Sequence, residues 1–216
     1  NASSYLFVNI PAFTVSVIDQ GFLTAQHRVI TGKPSTPTPQ FSATVNGVIL
    51  NPNWYVPQSI IAESVGALVR NNPAEAKRRG YEATRDARGA LHVRQLPGEK
   101  NALGLMKLVM PNPLSVYLHD TPSKALFDRD VRAFSHGCIR TDDALGFAET
   151  LLSGTPGWDR ASIDAAIVAG KTVQVDLGKP MPVYVGYFTL WAATDGTLTS
   201  YPDVYKLDEA IAAALN

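Results

Sequence analysis

Cysteine is almost absent from this sequence, with one residue in 216, which excludes an internal disulfide and gives no information on the redox compartment. An excess of one charge is also absent, because 19 Lys and Arg residues balance 19 Asp and Glu residues. A nucleic-acid-binding protein more often shows a basic excess or stripe, so we expect no nucleic-acid partner. The apolar runs are too short to cross a membrane, and we predict no integral membrane span.

Clusters of His and Cys with metal-ligand spacing are lacking too, so we predict neither a metal nor a cofactor. What is present is enough apolar sequence for a core, at 45% of the chain, with 16 Gly and 15 Pro that indicate many turns. The length suits one domain, or one domain with a sizeable insertion, and we treat 1–216 as a single domain. Its first residues do not read as a secretory signal, so any export signal is absent from this chain.

Segments rich in β-branched and aromatic residues predict strands over 5–10, 13–18, 26–31, 105–110, 114–119, 172–176, 183–191 and 198–201. Periodicity and capping residues predict helices over 59–70, 72–80, about 141–152, 159–168 and 208–215. A turn is expected at 85–89 and a hairpin turn at 194–197. From about residue 41 to 98 the pattern changes from strand-like to largely helical, which predicts an insertion into the β-rich domain.

The segment 135–140, with the sequence SHGCIR, contains the single cysteine, and a second histidine, His119, lies upstream. A lone cysteine with histidines placed like this is a candidate nucleophile with its base. The alternative is a small buried hydrophobe, which is the commoner state of a free cysteine. His136 and Gly137 beside Cys138, together with His119, favour the catalytic interpretation.

Gly137 permits a tight turn before Cys138, and the amides around both residues could then point at a developing oxyanion. Thr141 or Asp142 can cap the helix that is predicted to follow. Cys138 would then lie just before a helix N-terminus, where the positive end of the dipole favours the thiolate. We therefore expect a thiol pKa that is lowered into the range of activated cysteines.

His119, a gap of fifteen residues and then Ser135-His136-Gly137-Cys138 resemble the signature of the L,D-transpeptidase (YkuD) catalytic domain. The segments 29–33 (VITGK) and 36–39 (TPTP) resemble the strand and loop near the start of that domain. The segment 51–57 (NPNWYVP) resembles part of its larger, YcbB-like periplasmic branch, and the resemblance covers nearly the whole chain. Arg140 departs from the asparagine of the commonest family pattern but is compatible with the YcbB-like branch.

The resemblance implies a mainly β fold, a YkuD-like β-sandwich or barrel, with peripheral α-helices and a helical lid formed by the insertion at about 41–98. The alternative to a lid is an insertion that only stabilises the fold. The implied activity is that of a peptidoglycan L,D-transpeptidase whose partners are donor and acceptor stem peptides. Cys138 would attack the carbonyl between stem position three and D-Ala at position four, release D-Ala and form a thioester. An amine of a neighbouring stem would then accept the acyl group and give a 3-3 cross-link.

By the same resemblance, His119 is the general base, with its other ring nitrogen held by the main-chain carbonyl of Asp120. His136 is the rival base, on the same side as Cys138 if that stretch is extended, and otherwise a supporting donor near the thiolate or oxyanion. Tyr117 would share the face of His119 on a strand and border the acyl pocket. A periplasmic location and acylation by carbapenem-type inhibitors follow from the resemblance alone.

Several further side chains are candidates for substrate binding. Ser135 and Arg140 would shape the site, and Arg132 could clamp a substrate carboxylate in bidentate fashion. Trp54 and Tyr55 could offer flat aromatic surface to the substrate, although buried aromatics are the commoner case.

The sequence does not name the acyl acceptor, and three alternatives stay open. If water outcompetes the amine, the domain is an L,D-carboxypeptidase or an amidase. If the acceptor is a protein amine, the domain tethers an envelope protein to peptidoglycan. A non-catalytic wall-binding module with an inert cysteine is the alternative of another class, and the presence of both His119 and Cys138 argues against it.

Overall fold

The computed structural model describes residues 3–193 and 195–215, and these residues fold mainly into β-structure with short helices, as predicted. The strands are β1 (Tyr5–Asn9), β2 (Thr14–Asp19), β3 (Phe22–Gly32), β4 (Phe41–Leu50), β5 (Trp54–Tyr55), β6 (Tyr81–Arg85), β7 (Leu91–Gln95), β8 (Met106–Val109), β9 (Leu118–His119), β10 (Ala133–Ser135), β11 (Ile139–Thr141), β12 (Val173–Gly186), β13 (Leu190–Ala192) and β14 (Leu198–Ser200). The helices are α1 (Gln58–Ile60), α2 (Gly66–Asn71), α3 (Pro73–Arg78), α4 (Ala144–Leu152), α5 (Arg160–Ala169) and α6 (Asp208–Leu215). A π-helical turn, Ile61–Val65, joins α1 to α2, and a 3-10 helix spans Lys124–Asp128.

One large sheet dominates the fold, with the strand order β10-β3-β11-β9-β8-β4-β12-β1-β2. The strand β2 at its end also pairs with β3, so the ladder closes on itself in the manner of a barrel. Closure matters for the site because the pairing of β2 with β3 helps to fix the register of the inner strands. Within the described residues, no helix is long and apolar enough to cross a bilayer.

Aliphatic side chains that alternate along the strands form the core inside the closed sheet. Leu6 and Val8 of β1 have no exposed surface, and Val48 and Leu50 of β4 are equally buried. Helix α4 packs against the same core through Phe147. Each such side chain contributes about 1.5–3 kcal/mol through burial, so the core holds the site-bearing strands in one register.

The predicted capping chemistry is present at two helices. The Asn72 side chain accepts a hydrogen bond from the Glu75 amide, 3.2 Å away, at the start of α3, where Pro73 is the first residue. Asp159 caps α5 in the same way, and Gly170 ends it with a φ of 67°. The predicted cap of α4 is wrong, because the capping residue is Asp143 and not Thr141 or Asp142. The chain stays extended through Thr141 since β11 pairs there with β3.

Three predicted strands also need correction. The strand expected over 114–119 is shortened to β9, because the Asn112 side chain holds the preceding residues in a turn through bonds to Met110 and Val116. The strands expected at 172–176 and from 183 are one strand, β12, with a shift of register between Asp176 and Met181. The hairpin of β13 and β14 is present, but its predicted turn at 194–197 includes Thr194, which lies outside the described residues.

The predicted insertion of about 41–98 starts too early. Its first ten residues form β4, which lies between β8 and β12 in the large sheet. The segment outside that sheet therefore begins after Leu50, and it is mixed rather than purely helical, because β5, β7 and β6 form a separate three-stranded sheet. Val56, Ile61, Val65 and Val93 give it a small core of its own. We call this segment, residues 53–100, the flap.

Candidate active site

Three neighbouring strands bring the candidate residues together. Lys107 of β8 is the cross-strand partner of His119 in β9, and His119 is the partner of Arg140 in β11. Side chains of paired residues project from the same face of a sheet, so these three stand in one row. Tyr117 and Cys138 precede His119 and Arg140 by two residues, and the Ile139 amide donates to the Tyr117 carbonyl at 2.9 Å. Residues far apart in sequence thus share one surface.

His119 is buried, with 5% of its surface exposed, and its ring is held by the chain itself. Nδ1 is hydrogen-bonded to the main-chain oxygen of Asp120, which is the contact the sequence resemblance implied. A carbonyl oxygen only accepts, so Nδ1 carries the hydrogen in this assignment and Nε2 is the free acceptor. The geometry therefore leaves Nε2 as the ring atom that could take a proton.

Asp120 is itself fixed on both its main chain and its side chain. Its amide donates to the Met106 oxygen at 2.8 Å, and its Oδ2 accepts from the Leu105 amide at 2.8 Å. Lys124 forms an ion pair with the other carboxylate oxygen. The Asp120 carbonyl that orients His119 is consequently a rigid element, and the carboxylate acts through position rather than by contact with the imidazole.

The cysteine lies at the end of a tight turn that begins at Ser135. The Ser135 hydroxyl donates to the Cys138 carbonyl and accepts from the Gly137 amide at 3.1 Å. Gly137 has a φ of 111°, a conformation that strains any residue with a side chain. The Gly137 amide is thus occupied within the turn, contrary to the predicted oxyanion role. Within the described residues, the Cys138 amide meets no acceptor, and it is the better candidate for that role.

The proline-rich loop after β3 supports this turn, a role that was not predicted for it. The Thr38 hydroxyl donates to the Gly137 oxygen and accepts from the Gly32 amide, each at 2.8 Å. The Tyr205 hydroxyl donates to the Gly32 oxygen at 2.7 Å and accepts from the Thr38 amide at 3.1 Å. A Cβ on Gly32 would lie 2.2 Å from the Thr36 oxygen, so this close approach requires glycine.

Burial sets the protonation of the two central groups. It raises the pKa of the Cys138 thiol, although the Tyr117 backbone, Lys107 and Arg140 act in the opposite direction. It also lowers the pKa of His119 to about 3, against the opposing effect of the hydrogen bond with Asp120. The neutral thiol and neutral imidazole are therefore the resting forms. The prediction of a lowered thiol pKa is wrong, because burial of the thiol outweighs the groups that favour the thiolate. The predicted help from a helix N-terminus is also missing, since β11 lies between Cys138 and the start of α4.

The raised pKa predicts how the thiol responds to pH. An acid with a raised pKa ionises later, so alkylation of Cys138 by iodoacetamide should reach half its maximal rate above pH 9.0, the ordinary value for the group. His119 should add no inflection near pH 6.5, because its lowered pKa keeps it neutral there. Cys138→Ser, which has no thiol, is the control. A half-maximal rate reached below pH 9.0 would contradict the raised thiol pKa.

His136 faces the flap. Its Nε2 lies 2.9 Å from Oε2 of Glu63, which belongs to the π-helical turn, and 40% of its side chain is exposed. Within the described residues, the Cys138 sulfur is hydrogen-bonded to neither histidine and lies 3.9 Å from the Ser115 oxygen. The rival base is thus engaged by a carboxylate, and the buried His119 is the ring with an unoccupied acceptor.

Other predicted substrate-binding residues lie elsewhere or are already engaged. The prediction that Arg132 clamps a substrate carboxylate is wrong, because its three side-chain nitrogens already donate to the main-chain oxygens of Val29, Arg129 and Phe13. The buried Ser135 braces the turn, so we no longer expect it to contact substrate. Trp54 packs on Tyr81 within the flap, whereas Tyr55 is 73% exposed on the flap sheet.

Lys107 was not among the predicted site residues. It lies partly buried in the row beside His119, and its Nζ is 3.8 Å from the centre of the Tyr117 ring. A lysine inside a short strand carries no local signal, because its role depends on which strands pair. Among the described residues, no group of three His, Cys, Asp or Glu side chains could hold a metal ion.

The fold and site together define a β-sheet domain with a cysteine–histidine centre built on adjacent strands. The sequence profile described as the YkuD L,D-transpeptidase catalytic domain matches residues 3–175. The chain therefore belongs to the YkuD family of L,D-transpeptidase catalytic domains, which confirms the resemblance found in its motifs.

Individual relatives agree with this membership. A curated Haemophilus influenzae protein that is provisionally named an L,D-transpeptidase is 30% identical over 222 residues. The match covers 95% of this chain and 45% of that protein, so the chain spans less than half of its relative's length.

Two solved structures are partly similar to this chain. One is an L,D-transpeptidase from Mycobacterium smegmatis, with a TM-score of 0.44, 17% identity and coverage of 85% of this chain and 58% of that chain. The other is the catalytic domain of an E. faecium L,D-transpeptidase acylated by ertapenem, with a TM-score of 0.41, 14% identity and coverage of 85% and 96%.

Proposed function

We propose that this domain is a peptidoglycan L,D-transpeptidase in which Cys138 is the nucleophile and His119 the general base. The observation that carries the proposal is the hydrogen bond between His119 Nδ1 and the Asp120 carbonyl, which leaves Nε2 free in the row next to Cys138. Family membership supports the choice of reaction.

In the first half-reaction, the thiol turns from the Ser115 oxygen and gives its proton to His119 Nε2. The sulfur attacks the carbonyl carbon between stem position three and D-Ala at position four. The Cys138 amide stabilises the developing oxyanion. As the C–N bond breaks, His119 returns the proton to the leaving nitrogen, and free D-Ala departs from a thioester.

In the second half-reaction, an amine of another stem peptide, typically the side chain of diaminopimelate, attacks the thioester. His119 removes the amine proton and passes it to the departing sulfur, so a 3-3 amide forms and the thiol is regenerated. The low pKa of His119 keeps Nε2 unprotonated at neutral pH. The negative charge that develops on sulfur and oxygen stabilises the imidazolium during each transfer.

The direct test is incubation with a purified disaccharide-tetrapeptide, followed by mass spectrometry of the muropeptides. We expect a dimer whose fragmentation places the new bond between two position-three residues, with one D-Ala released per cross-link. Disaccharide-tripeptide as the sole product would identify an L,D-carboxypeptidase instead. No turnover of this substrate would contradict the proposal. The function also implies a periplasmic location and acylation of Cys138 by carbapenem-type inhibitors.

We further propose that the flap is a lid over the donor site. It has its own small core, and its Glu63 reaches His136 in the cysteine turn at 2.9 Å. A lid can hold the donor and exclude water from the thioester until the amine arrives. Exclusion matters because water is far more concentrated than any acceptor. The exposed Tyr55 is the flap aromatic that remains available to substrate.

Removing the flap tests this role. Its ends are adjacent, because the side-chain Nδ2 of Asn101 donates to the Pro52 oxygen at 3.0 Å, so a short glycine-serine linker can replace residues 53–100. We expect a folded protein that still reacts with a carbapenem but forms fewer dimers and relatively more hydrolysed tripeptide. Circular dichroism and thermal melting check the fold. An unchanged ratio of dimer to tripeptide would show that the flap is only structural.

A further inference from the structure

Two cations flank the thiol without any anionic partner. Lys107 and Arg140 are partly buried on the same face of the sheet, on either side of His119 in the row. Within the described residues, neither side chain forms a salt bridge or a hydrogen bond. The Lys107 Nζ lies over the face of the Tyr117 ring. Among the described residues, the Cys138 thiol is the one acidic group that acts on either cation.

This arrangement differs from that of arginines elsewhere on the surface. Arg28 pairs with Asp142 at 2.6 Å, and Arg94 pairs with Glu82 at 2.7 Å. Partial burial of a charge is unfavourable unless the charge is paired, and burial lowers the pKa of both Lys107 and Arg140. Two such cations around a neutral thiol leave the site with positive charge that an anion can neutralise. The charge of the site therefore favours a negatively charged ligand.

We propose that Lys107 and Arg140 form a subsite for the carboxylate of the residue that leaves, the free C-terminal carboxylate directly after the scissile bond. This inference rests on the proposed function. In a tetrapeptide donor, that carboxyl carbon lies three bonds from the scissile carbonyl carbon, a distance of roughly 4 Å. The anion is therefore carried into the immediate surroundings of the sulfur. Arg140 can bind it in bidentate fashion, and Lys107 adds a point charge.

The subsite acts on the donor, and it makes the enzyme selective for a stem that ends one residue after the bond it cuts. A donor whose terminal carboxylate is replaced by a carboxamide has the same shape but no charge at this point. Loss of a hydrogen bond to a charged group reduces binding by roughly 10- to 100-fold. The wild-type protein should therefore acylate the carboxylate donor faster than the carboxamide donor by roughly that factor.

The experiment compares acylation of the full chain by two disaccharide-tetrapeptides, one with a C-terminal carboxylate and one with a carboxamide. Lys107→Met and Arg140→Gln should each lower the preference for the carboxylate donor, mainly by raising its KM. Lys107→Arg should retain the preference. Lys171→Met, which removes an exposed lysine elsewhere, should match the wild type. The rate of alkylation by uncharged iodoacetamide at each pH reports any effect on the thiol alone.

A preference that is lost in the variants, with an unchanged pH profile of alkylation, supports the subsite. If the variants lost acylation rate equally with both donors, and their alkylation profile moved to higher pH, the cations would serve the thiolate. That result would overturn the subsite. Turnover by the wild type without any carboxylate preference would overturn the subsite and leave the proposed function standing. Failure of the wild type to acylate with either donor would overturn the proposed function, and the subsite with it.

Discussion

Replacement of Cys138 with alanine should abolish both dimer formation and D-Ala release. The chain has no other thiol that could take over the attack. The fold should survive, because the hydrogen bond of the sulfur to the Ser115 oxygen is long, at 3.9 Å, and a small side chain replaces another. Turnover of the disaccharide-tetrapeptide and thermal melting measure the two effects.

Cys138→Ser is the matched variant, since it keeps a small polar side chain but supplies a much weaker nucleophile at the same position. It should be folded and nearly inactive. Cross-linking near the wild-type rate in Cys138→Ala would exclude the thioester mechanism and return the single cysteine to the role of a packing residue.

Replacement of His119 with asparagine should slow acylation by roughly 10²- to 10⁴-fold, the usual contribution of general-base catalysis. Asparagine can still donate an N–H to the Asp120 carbonyl, so the contact that anchors the ring is imitated. It has no counterpart of Nε2, and the proton acceptor is lost. The rate of formation of the acyl-enzyme, measured by quenched-flow mass spectrometry, isolates this step from cross-linking.

His136→Asn is the comparison that separates the two histidines. His136 is partly exposed and bound to Glu63, so its loss should affect acylation much less than the loss of His119. If His119→Asn were as active as the wild type and His136→Asn inactive, the two roles would be exchanged. A circular dichroism spectrum of each variant guards against loss of fold, which matters most for the buried His119.

The motif residues could be found from the sequence because their roles depend on contacts with residues close to them in the chain. Gly137 supplies the positive φ of the turn, and the histidine after Leu118 reaches the very next carbonyl. Helix ends followed the same logic, since Asn72, Asp159 and Gly170 act on residues within one turn of themselves. Such short-range interactions can be predicted without knowledge of the fold.

What depends on strand pairing could not be read in this way. Lys107 becomes part of the site because β8 pairs with β9. Thr38 supports the turn through its bond to the Gly137 oxygen, and Tyr205, from the other end of the chain, accepts from the Thr38 amide. The early start given to the insertion has a similar cause. Nothing local in 41–50 shows that it inserts between β8 and β12. The thiol pKa was predicted in the wrong direction because burial of Cys138, which raises it, depends on the assembled sheet.

The central claim is that Cys138 carries the acyl group, and peptide mass spectrometry of the trapped acyl-enzyme tests it most directly. The protein is mixed with the disaccharide-tetrapeptide, quenched in acid within the first turnovers and digested with trypsin, which releases residues 133–140 as one peptide. We expect a mass increase equal to the donor without its D-Ala, located on Cys138 in that peptide. A covalent adduct on any other residue, or cross-linked product formed while Cys138 is never modified, would contradict the account.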